Sequence, residues 1–238
     1  MSVVSAMAKK KVKDRIQLVI FDLDGTLFNA YPAIAKSFNF AMKKMGYPRI
    51  GHNTICRKVG WGEQNLIKPF VAEKDLERTL SIYRRHHKEA IKRGTRLLPG
   101  AKRLLLSLHH RGYKIAVASN RSTRSSRLII KHLKIGDRFD YVLCGDKVKK
   151  AKPYPNILNQ ILKQFSLRPQ QALYVGDMTI DVQTGKSAKI KTVAVVTGSS
   201  TKKEIERLRP FKVISHISSL NEIIDQLNGK SHNLSKNF

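Results

Sequence analysis

The sequence predicts an α/β fold: a parallel sheet wrapped by helices, with a small all-helical segment inserted after the first strand. Three observations carry that expectation. Four apolar runs are continuous rather than alternating: Leu18-Val19-Ile20-Phe21, Ile115-Ala116-Val117-Ala118, Ala172-Leu173-Tyr174-Val175 and Val193-Ala194-Val195-Val196. Strands buried on both faces of a parallel sheet read this way. Segments of helical spacing lie between the runs, the pattern of strand–helix–strand units. Residues from about Ala30 to Arg96 break the alternation and offer helix-period segments with no good strand.

Each element can be justified in order. After the first strand, Ala33 to Met45 reads as a helix, stopped by Gly46 and Pro48. Leu76 to Ile91 reads as a longer one, and Gly60-Trp61-Gly62 falls in a loop between them. Leu104, Leu105 and Leu108 share one helical face after Pro99-Gly100, and Leu128, Ile129 and Leu133 repeat at helix spacing. Phe139 to Leu143 is a weaker fifth strand. Ile157, Leu158, Ile161, Leu162 and Phe165 form an apolar stripe behind Pro153 and Pro155, which suit a helix start. Lys212-Val213-Ile214 is a sixth strand at an edge, and Leu220, Ile223, Ile224 and Leu227 close the chain before Gly229. The expected division is a core of residues 15–29 and 97–228, a helical insert of residues 30–96, and polar tails at 1–14 and 229–238.

Composition narrows the class. The 238 residues are 41% apolar and 26% charged, within the globular range, which argues against a disordered or collagen-like chain. No run approaches the roughly 18 apolar residues of a membrane span, so no membrane contact is expected. Two cysteines, Cys56 and Cys144, are too few for a disulfide framework or a four-cysteine zinc site, and a cytoplasmic protein is the expectation. Lys+Arg 46 against Asp+Glu 17 gives +29. Such an excess favours anionic partners. The positive residues are scattered and lack interleaved aromatics for stacking on bases, so nucleic acid is expected to bind at most non-specifically.

In an open parallel sheet, ligands bind beyond the carboxyl ends of the strands. Asp22-Leu23-Asp24-Gly25-Thr26-Leu27 follows the first run, Ser119-Asn120 the second, and Gly176-Asp177-Met178-Thr179-Ile180-Asp181 the third, with Lys152-Pro153 before a helix. Asp22 and Asp24 are two apart in extended chain and are expected to leave on one side. Carboxylates so close need a cation. With Asp177 they make an all-oxygen set suited to Mg²⁺ rather than zinc. A carboxylate can attack phosphorus, a second can shuttle the proton, and Mg²⁺ with Lys152 offsets the charge of the transferring group. Ser119, Asn120 and Gly25 are expected at the phosphate. A calcium loop is excluded because glycine follows Asp24 directly and no glutamate completes it. Taken singly, Ser119-Asn120 reads as a helix cap and Lys152 as one more lysine of the Lys147–Lys152 run; their order behind successive strands is the stronger signal.

These four stretches resemble the motifs of the haloacid dehalogenase-like hydrolases, and Leu98-Pro99-Gly100, Gly145-Asp146 and Leu173-Tyr174-Val175-Gly176-Asp177 look like its phosphoglycolate phosphatase-like branch. The resemblance spans residues 16–228 and implies a Rossmann-like core with a helical cap. By it, Asp22 is nucleophile and metal ligand, and Asp24 is the general acid/base whose backbone carbonyl meets the metal. Asp177 completes the ligands, Asp181 supports them from behind or binds directly, Ser119 and Asn120 hold phosphate, and Lys152 steadies the nucleophile and the transferring group. Dehalogenases lack the second acid, so Asp24 favours phosphoryl transfer. The chain departs from the branch's usual Thr-Asn-Lys with Ser119-Asn120-Arg121, and has Gly198-Ser199-Ser200 where Gly-Tyr or Gly-Phe is frequent.

Val59 to Glu63 resembles the cap's specificity loop. Trp61 has two readings there, closure over a substrate or packing between cap and core. Arg57 and Lys58 either meet a second anionic group or are merely solvated. The adjacent pairs His86-His87 and His109-His110 should point apart on a helix and make poor metal clamps. Neither cysteine has an identifiable base. The expectation is a Mg²⁺-dependent phosphatase of small anionic phosphate esters, phosphoglycolate first, working through an aspartyl-phosphate. A phosphosugar mutase or 5′-nucleotidase on the same machinery, or a polyanion-binding protein with a vestigial site, are the alternatives.

Overall fold

The computed structural model describes residues 15–229; the tails expected at 1–14 and, past Gly229, at 230–238 lie outside the described residues. Six strands form one parallel sheet: β1 (Leu18–Phe21), β4 (Lys114–Ser119), β5 (Tyr141–Cys144), β6 (Ala172–Gly176), β7 (Lys191–Val195) and β8 (Lys212–Ile214), in the order β5-β4-β1-β6-β7-β8. All six expected strands are present, with Lys212–Ile214 at an edge. Chain order reverses at β1, which pairs with β4 on one side and β6 on the other. Such a reversal opens a crevice at the strand ends, and Asp22 is the residue that follows β1.

Alternation along buried strands supplies both faces at once. Val19, Phe21, Ile115, Val117, Leu173 and Val175 pack into one apolar cluster; Leu18, Ile20, Ala116, Ala118, Ala172 and Tyr174 pack into the other. The helices that cover these faces are α5 (Ala101–His110), α6 (Thr123–His132), α7 (Asn156–Gln164), α8 (Thr179–Ser187), α9 (Lys202–Arg207) and α10 (Leu220–Leu227). On α7, Ile157, Leu158, Ile161 and Leu162 are the buried residues, the stripe read from the sequence.

Between β1 and α5 the chain makes α1 (Tyr31–Lys44), α2 (His52–Lys58), α3 (Glu63–Ile67) and α4 (Leu76–Gly94). Helices α1 and α4 pack on each other, and Phe38 meets Phe70 edge to face with ring centroids 5.3 Å apart. One detail differs from the expectation of no strand up to Arg96. Phe28–Asn29 (β2) and Arg96–Leu97 (β3) pair as a short antiparallel ribbon at the root of the helical insert. Two residues per strand are too few to display an alternation, so the ribbon leaves no periodic trace. No helix among the described residues is long and apolar enough to cross a membrane.

Candidate active site

The carboxyl ends of β1, β4 and β6 place the site. Asp22, Ser119, Lys152, Asp177 and Asp181 are all buried. Oxygens of Asp22, Asp177 and Asp181 lie within 4.8 Å of one another. Lys152 Nζ donates to Asp22 Oδ1 at 2.6 Å and to Asp181 Oδ1 at 2.7 Å, so a single ammonium serves two of the three acids. Asp181 is fully committed: Oδ1 also accepts from Tyr174 Oη at 2.6 Å, and Oδ2 accepts from the backbone N–H groups of Asp177 and Met178. It buttresses the loop after β6. Asp177 is held by Thr26 Oγ1 at 3.0 Å and Tyr31 Oη at 3.4 Å.

The charges in this cluster do not balance. Burial, opposed by Lys152 and abetted by Asp181, pushes the Asp22 carboxyl from its ordinary 3.8 up to about 7. Burial, with Asp181 and Asp22 beside it, pushes Asp177 well above the usual carboxylate range. A group of acids this desolvated with one lysine is short of positive charge. The donor set is all oxygen, the set a hard divalent cation such as Mg²⁺ takes, and Asp22 and Asp177 are the two whose oxygens are not saturated by protein donors. The residues fit the ion.

Asp24 stands apart from this cluster and meets a cation of the protein instead. The Asp24 carboxylate is gripped side-on by Arg121, Nε to Oδ2 and Nη2 to Oδ1, both at 2.8 Å and both partners buried. Arg121 Nη1 goes on to Ser125 Oγ at 2.7 Å and His87 Nε2 at 3.0 Å. Burial and Arg121 hold His87 down to about 3, from the usual 6.5. It is therefore neutral, accepts at Nε2 and carries its proton on Nδ1, which reaches Ser37 Oγ at 3.1 Å. Helices α4 and α1 of the insert are thus tied to an acid of the core.

Several expected roles change on sight of the geometry. The Asn120 amide is spent on backbone: Nδ2 donates to the Gly60 and Lys152 carbonyls, and Oδ1 accepts from the Lys152 N–H. Its side chain positions the Lys152 backbone and the insert loop. Ser119 Oγ accepts from the Arg121 N–H at 3.3 Å, leaving its own hydroxyl proton to give. Gly25 donates its N–H to the Phe28 carbonyl at 2.8 Å, so its amide does not face a phosphate. Its φ of +80° and the Asp177 carboxylate pressed against its α-carbon require glycine there. Gly198 crowds the same carboxylate from the other side.

Arg57 is exposed and pairs with Glu204 and the Ser199 carbonyl across from the insert. Trp61 is 40% exposed, part covered and part open to solvent. Cys56 does have a base beside it, His52 Nε2 at 3.3 Å one turn away, although burial raises the thiol. The pair His86-His87 converges on Ser37 Oγ and does not diverge fully. Sequence reasoning passed over Arg121, Tyr174, Thr26 and His87. The one available signal was Arg121, an arginine directly behind Ser119-Asn120.

A narrow cavity of about 40 Å³ lies between insert and core, with Asp22, Asp24, Val59, Glu63, Ser119 and Arg121 in its wall. That is room for a few waters.

A family model described as haloacid dehalogenase-like hydrolase matches residues 19–195. The chain is 29% identical over 183 residues to a phosphoglycolate phosphatase of Aquifex aeolicus, covering 77% of this chain and 86% of that protein. It is 29% identical over 217 residues to one from Pseudomonas putida, covering 86% and 78%. A crystal structure of a predicted phosphoglycolate phosphatase from Haemophilus somnus superposes with TM-score 0.83 at 27% identity, covering 87% of this chain and 97% of that one. A subfamily IA hydrolase from Geobacter sulfurreducens superposes with TM-score 0.70 at 25% identity, over 87% and 99%.

Proposed function

This chain belongs to the haloacid dehalogenase-like hydrolases, and on that premise we propose that it is a Mg²⁺-dependent phosphoric monoester hydrolase with 2-phosphoglycolate as its first substrate. The observation that carries the reading is the buried trio Asp22, Asp177 and Asp181, with a single lysine paired to two of them. Such a site attracts a cation and then the dianion of a phosphate ester. The relatives named phosphoglycolate phosphatase support the choice of ester.

Asp22 is the nucleophile. Its free oxygen attacks phosphorus, the ester P–O bond breaks, and the leaving oxygen takes a proton from Asp24. An acyl phosphate then stands on Asp22. Asp24 next takes a proton from water, whose oxygen attacks the same phosphorus and returns Asp22 as carboxylate. Lys152 orients Asp22 and offsets charge on the transferring oxygens; the Ser119 hydroxyl donates to one of them. Asp22, Asp177 and the Asp24 carbonyl would hold Mg²⁺, which supplies positive charge to the phosphoryl oxygens.

Residues 30–96 act as the cap over a core of 15–29 and 97–228. The narrow cavity admits the ester only if the cap moves, and closure excludes competing water. Two free thiols accord with a cytoplasmic setting, and the +29 charge adheres to nucleic acid at most non-specifically. The test is phosphate release from 2-phosphoglycolate at pH 7. Turnover with Mg²⁺ that stops on EDTA addition is expected; equal rates in both conditions would remove the metal from the reading, and no release from this or a generic aryl phosphate would remove the phosphatase.

A further inference from the structure

The cavity wall has one cation to offer. Its charged residues are Asp22, Asp24, Glu63 and Arg121, so among the described residues the Arg121 guanidinium faces three acids. A guanidinium presents five N–H donors. Four have partners: Nε and one Nη2 hydrogen on Asp24, and both Nη1 hydrogens on Ser125 and His87. The fifth, on Nη2, has no partner among the described bonds, although the side chain is 7% exposed. Had Arg121 served only to neutralise Asp24, two donors would suffice and burial would favour satisfying the rest.

We propose that Arg121 is the specificity-determining residue of this site, taking a carboxylate carried by the alcohol part of the ester on its unpartnered Nη2–H. The inference rests on the phosphatase reading above. Three further observations support it. The guanidinium already holds one carboxylate side-on at 2.8 Å, which demonstrates the geometry in place. Ser125 and His87 fix its plane, so little side-chain freedom is lost on binding. An anionic leaving group beside Asp22, Asp24 and Glu63 would be repelled without it, whereas a neutral leaving group gains nothing from it.

The experiment compares kcat/KM for 2-phosphoglycolate and ethyl phosphate, two-carbon esters that differ by the carboxylate, on the wild type, Arg121→Gln and Arg121→Lys with Mg²⁺. The wild type should favour the carboxylate ester by about ten- to a hundredfold, the worth of a hydrogen bond to a charged group. Arg121→Gln should bring the ratio close to one, with Arg121→Lys between. A purely structural role lowers both rates together and leaves the ratio unchanged; that result, or a wild-type ratio of one or less, overturns the proposal.

Should Arg121→Gln not fold, product inhibition of the wild type decides. Glycolate should inhibit at least about tenfold more strongly than ethylene glycol, and equal inhibition overturns the assignment. Turnover of an aryl phosphate without discrimination between the two esters strikes Arg121 alone. No turnover of any ester strikes the phosphatase reading beneath it.

Discussion

Two neighbouring halves of the site handle buried acid in opposite ways. Around Asp22, three carboxylates lie together with one lysine paired to two of them, and burial, with the neighbouring acids, raises Asp22 and Asp177. Around Asp24, one carboxylate meets one guanidinium in a closed two-point pair, and two of the three remaining donors go to neutral partners. On the proposed function, the first half would take an ion and a dianionic substrate. The second is paired within the protein and reaches the insert through His87. Buried charge left unmatched calls for an ion; buried charge matched by protein holds Asp24 in place for its proposed part in the reaction.

The largest expected effect breaks the unmatched half. Asp22→Asn should lower kcat by at least about 10⁴-fold, since losing a nucleophile costs nearly everything the site achieves. Unfolding in urea should show the variant folded and, without metal, no less stable than the wild type. Near-normal turnover of an aryl phosphate would mean that another group attacks phosphorus.

Lys152→Met comes next. It leaves Asp22 and Asp181 buried without their shared ammonium, and removing one partner of a buried pair costs about 3–5 kcal/mol. Urea titration of the metal-free variant measures the loss, and added Mg²⁺ should restore part of it. A loss below about 1 kcal/mol would mean that the carboxylates relax by protonation instead.

pH separates the halves by sign. Folded Asp22, near 7, keeps a proton that the unfolded chain gives up near 3.8. Its contribution to stability is full below about 3.8 and is lost as pH rises through 7. Folded His87, near 3, refuses a proton that the unfolded chain takes near 6.5. Its contribution is full above 6.5 and is lost as pH falls toward 3. In EDTA, Tm against pH should lose its decline on the neutral side in Asp22→Asn and soften its decline on the acid side in His87→Gln. Identical profiles for the two variants would erase the contrast.

The smallest effect is at the rim. Arg57→Ala removes an exposed contact between cap and core, and exposed pairs contribute little. Tm should not move measurably, while kcat should change by less than about threefold. A larger change in kcat would show that opening depends on this latch.

How much of this was legible follows from the kind of signal involved. The sheet was readable because Leu18–Phe21 and its three companions are buried on both faces, which composition alone reveals. Asp22, Lys152, Asp177 and Asp181 were readable because each follows an apolar run or precedes a helix in a fixed order. Tyr174 was hidden inside such a run: it packs with Leu18 and Ile20 as a strand residue should, and only its hydroxyl reaches Asp181. Arg121 was seen as a departure, but its partners, Asp24 and His87, are 97 and 34 residues away. Arg57 likewise finds Glu204 147 residues on. Pairings between distant polar residues carry no periodicity, so they emerge only once the chain is folded.

The Asn120 amide holds the carbonyl of Gly60 and both backbone groups of Lys152 at once. One small side chain therefore joins the insert loop to the backbone of the residue whose ammonium pairs with Asp22. On the proposed function, moving the insert outward would remove a tether of that backbone, so binding at one face and the placement of the attacking oxygen at the other would be coupled through a single amide.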